Sequence, residues 1–403
     1  MAVAIPLLPP LCGVATSQTS QVLNGQVQLG DVTANQTFNV NAVSDQTTAV
    51  TTATGNAFSG AVESNSVNVD STQSMQGGAS AHTILNVITD AGAQVSLTDV
   101  ATGNAGESDA LGGGTLTGTF RQTTGNVLIR ADDQIEGEAA QAGDVSENAQ
   151  AIANTQGLGT TDGTVSATVN QSSSAATEAD GGAILKYSPG TSTFSALAVS
   201  NNVTATGTGD ATQTLNITQS MTGDHTQASR FIAYGQGQEI DNATTATSNN
   251  VSISNSSGGL NVVTSQDNES YVRSQAETTA FQFGSVSTTA MGVGNSVVAA
   301  ETGSDITLDN TQTNGGAGID VMASSGGSDG YDIAATATAM GNAVTGYACT
   351  VCGGRMTIRN NQTNSADVGA STTIGVDSSA RSATGVATAV GNSGTFYVSS
   401  PGG

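Results

Sequence analysis

The sequence predicts an all-β protein, a right-handed parallel β-solenoid built from about eight units of 45–50 residues. Three observations predict it. Two short motifs recur along most of the 403 residues with one shared period. Proline is almost absent: Pro6, Pro9 and Pro10 stand at the start, Pro189 in the middle and Pro401 at the end. Proline cannot donate to a strand ladder, so a chain of Thr, Val, Ser and Asn that avoids it reads as continuous sheet. The repeated stretches also alternate with period two, as in MTIRNNQ, where Met356 and Ile358 share one face and Thr357 and Arg359 the other.

The first motif is an asparagine after an Ala, Thr or Val run, usually at a Gly-Asn or Asn-Asn step. It falls at Asn56, Asn104, Asn154, Asn202, Asn250, Asn295, Asn342 and Asn392, spaced 45 to 50 residues apart. The second ends in glutamine, at Gln73, Gln122, Gln171, Gln219, Gln266, Gln312 and Gln362, spaced 46 to 50 apart. Two independent markers on one beat exclude chance similarity. Stacked Asn and Gln side chains form amide ladders, each amide donating to its copy on the neighbouring strand. Four strand-like stretches occupy the seventh unit: NAVTGYA, RMTIRNNQ, STTIGVDS and ATGVATAV. They predict two rungs of about 24 residues per unit, hence roughly 15 rungs, a rod about 70 Å long and a ladder interrupted on alternate rungs.

In chain order, residues 1–20 read as a secretory leader: MAVAIPLLPPLCGVA is apolar and ends in small residues, though it has no positive n-region. Residues 21–52 read as an N-terminal capping segment. There the nearest glutamine marker, Gln36, lies only 37 residues before Gln73, so the first unit reads as shortened or atypical. Residues 53–400 carry the solenoid repeats and 401–403 a tail. No run reaches the roughly 18 apolar residues of a membrane-spanning helix. Cys349 and Cys352, in ACTVCGG, are read as a local disulfide that staples one turn of an exported protein.

Chemistry is conspicuous by what the composition excludes. Eight Lys and Arg face 32 Asp and Glu, for a net charge of −24, the wrong sign for nucleic acid. Two histidines, His82 and His225, leave little material for triads or metal sites and are read as surface residues. Carboxylate pairs such as Asp132–Asp133 recur at no fixed place in the unit, and no calcium-loop pattern repeats; Ser328–Asp332 is the loosest approach to one. No catalytic residue, metal site or cofactor is expected. Aromatics make up 3% of the chain, which leaves few rings for stacking.

The ATGN steps, VNVDSTQSMQG, LTGTFRQTTGNV and YGQGQEIDNATTATSNNVSISN, in this order from about Val32 onward, resemble the holdfast attachment protein D family of stalked alphaproteobacteria. The strand repeats more loosely resemble curlin repeats, which are about half as long. The resemblance implies an exported protein, associated with the outer membrane at one cell pole, that anchors an adhesive polysaccharide, the holdfast. It implies as partners that polysaccharide, a small fibre-forming anchor protein and an outer-membrane secretion lipoprotein. With few aromatics and a net charge of −24, direct contact with the polysaccharide is expected to be electrostatic, favouring deacetylated amino sugars. Open strand edges allow self-assembly as a separate mode. A phage-tail or S-layer-like rod is the alternative reading, and a polysaccharide-active β-helix enzyme the next. An ice-binding surface would need a Thr-x-Thr array in every unit, and Thr336–Thr338 has no such counterparts.

Overall fold

The computed structural model describes residues 20–349 and 354–399. Strand makes up 86% of the described residues, and no helix occurs among them. The first rung comprises β1 (Ser20–Gln28), β2 (Val32–Ala42) and β3 (Gln46–Glu63); the second, β4 (Ser66–Met75), β5 (Ala79–Asp90) and β6 (Gln94–Leu111). The third holds β7 (Thr115–Thr124), β8 (Leu128–Gln141) and β9 (Asp144–Thr161). Rungs four to seven pair a short strand with one long one: β10 (Thr164–Ser173) and β11 (Ala176–Thr208), β12 (Thr212–Met221) and β13 (His225–Asn255), β14 (Leu260–Asn268) and β15 (Tyr271–Glu301), β16 (Ile306–Asn314) and β17 (Gly318–Cys349). The eighth is β18 (Met356–Asn364), β19 (Val368–Ser379) and β20 (Ser382–Ser399).

Every pairing is parallel, and the register corrects the expectation of two rungs per unit. Ser20 lies beside Val67, Thr164 beside Thr212, and Ile306 beside Met356. The sequence repeat is therefore the strand-to-strand step itself, and one unit makes one wide rung. Eight rungs at about 4.8 Å span about 34 Å between the first and last strands, half the expected length. The four stretches read in the seventh unit are the end of β17 followed by the three strands of the eighth rung. Alternation shows which stretches are strands but not how many of them close one turn.

Each rung is flattened. Its third segment returns past the first two, so that Thr83 on β5 donates to Asp99 on β6 at 2.6 Å, and Gln73 on β4 reaches the carbonyl of Ala105 on β6 at 2.9 Å. Between these layers lies a core of small residues, Ala53, Ala79, Ala101 and Ala151 among them, flanked on either side by Leu, Ile, Val and Phe. The corner that leads into the next rung turns through a left-handed residue at equivalent places: Ser64 (φ 52°), Gly112 (55°), Asp162 (51°) and Gly209 (69°). Such a turn favours Gly or a short polar side chain that can bond its own backbone. The Asp162 carboxylate does so across rungs, accepting from the amide of Asp210 at 3.0 Å.

The first rung is full length. Gln26, 47 residues before Gln73, holds its glutamine position, while Gln36 sits on the second segment and donates to the carbonyl of Val50. The shortened unit expected at residues 21–52 is thus corrected: β1, β2 and β3 match the second rung strand for strand.

Candidate functional site

Two columns of amides run through all eight rungs where the first and second segments meet opposite the third. In the glutamine column each Nε2 donates to the Oε1 of the rung before it: Gln73 to Gln26, and so on through Gln122, Gln171, Gln219, Gln266 and Gln312 to Gln362, at 2.7–2.9 Å. In the asparagine column each Nδ2 donates the other way, to the Oδ1 of the rung after it, from Asn56 through Asn104 and Asn154 to Asn342 and Asn392, also at 2.7–2.9 Å. The ladders are continuous, not interrupted, because a repeat that equals one rung puts an amide on every strand.

The second N–H of each amide ties the layers together. Gln219 donates to the carbonyl of Asn250, the residue after an asparagine of the other column, at 2.9 Å. Asn104 donates to the carbonyl of Thr123, the residue after Gln122, at 3.0 Å. Interior amides thus have both donors and the oxygen satisfied in a site that water does not reach; Asn154 and Gln312 are fully buried. At two rungs the assignment from sequence is off by one. Asn201 and Asn249 hold the buried ladder positions at 2.9 and 2.8 Å to their neighbours. Asn202 and Asn250 point outward, half-buried, and bond each other at 2.8 Å. In an Asn-Asn pair only the pleat decides which one faces inward.

Among the described residues both ends of the stack are open. Ile306 and Leu308 in the seventh rung are 1% exposed, whereas their register partners Met356 and Ile358 in the eighth are only half-buried. Among the described residues, Asn392 donates to nothing and the Gln362 oxygen accepts nothing; at the other end, the Asn56 oxygen accepts nothing and Gln26 uses one donor, toward the carbonyl of Ala57. The two ends are complementary head to tail, and because the two columns run with opposite polarity each end presents one donor and one acceptor.

Sequence reasoning missed an ionic cluster inside the third to fifth rungs. Arg230 on β13 is fully buried and donates to Asp133 on β8 at 2.5 Å and to Glu147 on β9 at 2.7 Å. To reach Asp133 the guanidinium passes two rungs down, across Gly181, where a Cβ would lie 2.3 Å from the Asp133 carboxylate and 2.8 Å from the guanidinium carbon. One cation stands against two carboxyls. Burial therefore pushes Asp133 up to about 7, the guanidinium only partly offsetting it. Burial and the Asp133 charge push Glu147 well above the usual carboxylate range. Burial also lifts Asp99 to about 6, against the hydrogen bond from Thr83. The sole sequence signal was an arginine among apolar alternation in QASRFIAY, next to a Gly-Gly pair one unit earlier.

Of the pair Asp132–Asp133, only Asp133 faces inward; Asp132 lies 3.2 Å from both Arg130 and His82. His225 faces outward, held by Glu178 at 3.0 Å and Asp224 at 2.9 Å, and these partners raise its pKa above 6.5. Among the described residues no group of three His, Cys, Asp or Glu is placed to hold a metal ion. Asp332 of the loose acidic stretch is engaged by Arg381 and by Ser382 at 2.6 Å. The Cys349–Cys352 pairing falls outside the described residues, since Cys352 is not among them.

Neither the curated proteins nor the solved structures yielded a match to this chain. The family model described as Holdfast attachment protein D matches residues 41–318 and 329–401, nearly the whole chain. With that coverage over the repeats whose ladders build the fold, the chain belongs to the holdfast attachment protein D family.

Proposed function

We propose that the protein is an exported, non-enzymatic surface element that anchors the holdfast to the outer envelope, its solenoid serving as a rigid post. Family membership carries this reading. The structure supports it in two ways. The continuous amide ladders tie all eight rungs into one unit suited to bearing load. The carboxyls that burial perturbs most, Asp99, Asp133 and Glu147, are engaged inside the stack rather than presented in a cleft.

The open ends are the surface for a protein partner. An unpaired strand edge is a template for another β-chain, and here it also offers amide donors and acceptors of defined polarity. A fibre-forming anchor protein with Gln and Asn at matching positions, or a second copy of this chain, would continue both ladders. An outer-membrane secretion lipoprotein and a location at one pole belong to the same reading. The test is a deletion strain. Intact cells should lose surface labelling by antibody and release their holdfast into the medium, while still synthesising it. Holdfast that stays cell-bound in that strain would sink the anchor reading.

A further inference from the structure

We propose that a trough along the corner between the second and third segments of rungs four to seven binds an extended glycan chain, by stacking on Tyr187 and Tyr331. The proposal rests on the anchor reading above and names the ligand chemistry of the post's flank.

The trough encloses about 480 Å³ and runs from Tyr187 and Pro189 in the fourth rung, past Gln236 and Gln282, to Tyr331 in the seventh. Its length is three rung steps, about 14 Å. Pro189 sits where the strand register shifts between Ser188 and Thr191, a place where a missing N–H breaks no ladder bond. Glycines let the rungs close up beneath the trough. A Cβ on Gly330 would lie 2.3 Å from the Phe283 ring, and one on Gly284 would lie 2.4 Å from the carbonyl oxygen of Gln238. The floor is firm: Phe283 is 5% exposed, and Tyr234 packs edge-on against Phe194 at 6.1 Å.

The placement of aromatics carries the inference. The chain has eight Phe and six Tyr, and three of these rings, Tyr187, Phe283 and Tyr331, line the trough, with buried Tyr234 and Phe194 in the core behind it. Tyr187 (39% exposed) and Tyr331 (62%) mark the two ends of the trough. The Tyr331 ring is held by Arg381, whose guanidinium lies 5.6 Å from the ring centre. Between the two tyrosines lie the exposed amides of Gln236 and Gln282, which bond each other at 2.6 Å. An aromatic ring offers a flat apolar face to the C–H face of a pyranose, and amides serve as both donors and acceptors for hydroxyls. The rung spacing is close to the length of one sugar unit, so a glycan laid along the axis meets a new rung at each step: Tyr187, Gln236, Gln282 and Asp329 stand in register, with Tyr331 beside the last. A peptide finds no strand edge here, because the backbone of these four rungs is paired above and below. The fold thus gathers the few aromatics that composition alone made look inadequate for stacking.

The test uses the purified full chain, with chitohexaose and its fully deacetylated counterpart as probes, at low and high salt. Chitohexaose should bind at both salt concentrations. Tyr187→Ala and Tyr331→Ala should each weaken it by about tenfold, the loss of one stacked ring. Tyr331→Phe should retain binding, and Phe231→Ala, an exposed aromatic outside the trough, should change nothing. Three outcomes overturn the proposal: no binding of either sugar, binding only of the deacetylated sugar with loss at high salt, or equal affinity in the tyrosine variants. Surface labelling of cells carrying the variants separates the two readings. Holdfast release with the chain still displayed supports the trough; variants that bind glycan normally in vitro overturn the trough and leave the anchor standing.

Discussion

The seventh and eighth rungs carry nearly the same first strand, ITLDNTQTN and MTIRNNQTN, yet they occupy different physical states. In the seventh, Ile306, Leu308 and Gln312 are at most 1% exposed, and the Gln312 amide bonds Gln266, Gln362 and the carbonyl of Ala343. In the eighth, Met356, Ile358 and Gln362 are half-buried and the Gln362 oxygen has no donor. The same motif is core in one place and rim in the other. What buries a residue in a stack is the pair of neighbouring rungs, so stability is a sum over interfaces that the terminal rungs only half collect.

That contrast can be broken most severely at the ionic cluster, which only an interior rung can hold. Arg230→Met leaves Asp133 and Glu147 buried without a cation and should cost about 3–5 kcal/mol in a denaturant titration at pH 8. The cost should shrink at pH 5, where both carboxyls take up protons. For the native chain the same groups set the sign of the pH dependence. Asp99 and Asp133 have folded pKa values, about 6 and about 7, above their ordinary 3.8. The folded state therefore binds more protons across that window, and stability should fall as pH rises from about 4 to 7. His225, raised above 6.5, adds in the same direction. Glu178, lowered from 4.5 by His225, opposes it only under more acid conditions. A melting temperature that rises between pH 5 and 8 would refute this account.

A ladder substitution compares the two regions directly. Gln219→Leu should cost about 3 kcal/mol, since the Gln171 oxygen and the Asn250 carbonyl each lose a donor in a dry site. Gln362→Leu should cost less than about 1 kcal/mol, because water reaches the groups it leaves. Equal costs would mean that the amides are not stabilised by stacking. Glycines give the smallest contrast. Gly181→Ala in the fourth rung drives a methyl into the Arg230–Asp133 contact and should cost about 1–3 kcal/mol. At Gly375 in the eighth rung nothing lies within 4 Å of a new Cβ, so Gly375→Ala should be neutral or stabilising by up to about 1 kcal/mol.

Much of this was legible in one dimension. Parallel strands in a stack repeat their contacts, so a residue's spatial neighbour is its sequence equivalent one unit away. The Gln and Asn columns could be read for that reason. What resisted reading either recurred in only a few units or lay off the period. The bonds Asn268–Asn314 and Asn314–Asn364 form a short third column confined to the last three rungs, where Met221 and Ser173 hold the equivalent places below. Arg230 meets residues 83 and 97 positions away, neither a single repeat.

By itself the sequence determined that the chain is β throughout, that it stacks in parallel, that about eight units are present and that buried amides recur in each. These follow from local alternation and from a period, both properties of the chain as a string. Only the tertiary structure decided that one unit closes one wide, flattened rung, that Asn201 and Asn249 rather than Asn202 and Asn250 face inward, and that a buried arginine joins two carboxyls across a glycine. It also brought dispersed tyrosines into one trough. Each of these depends on where the chain bends, and a bend is set by how two layers pack across the core, between residues that no repeat distance connects.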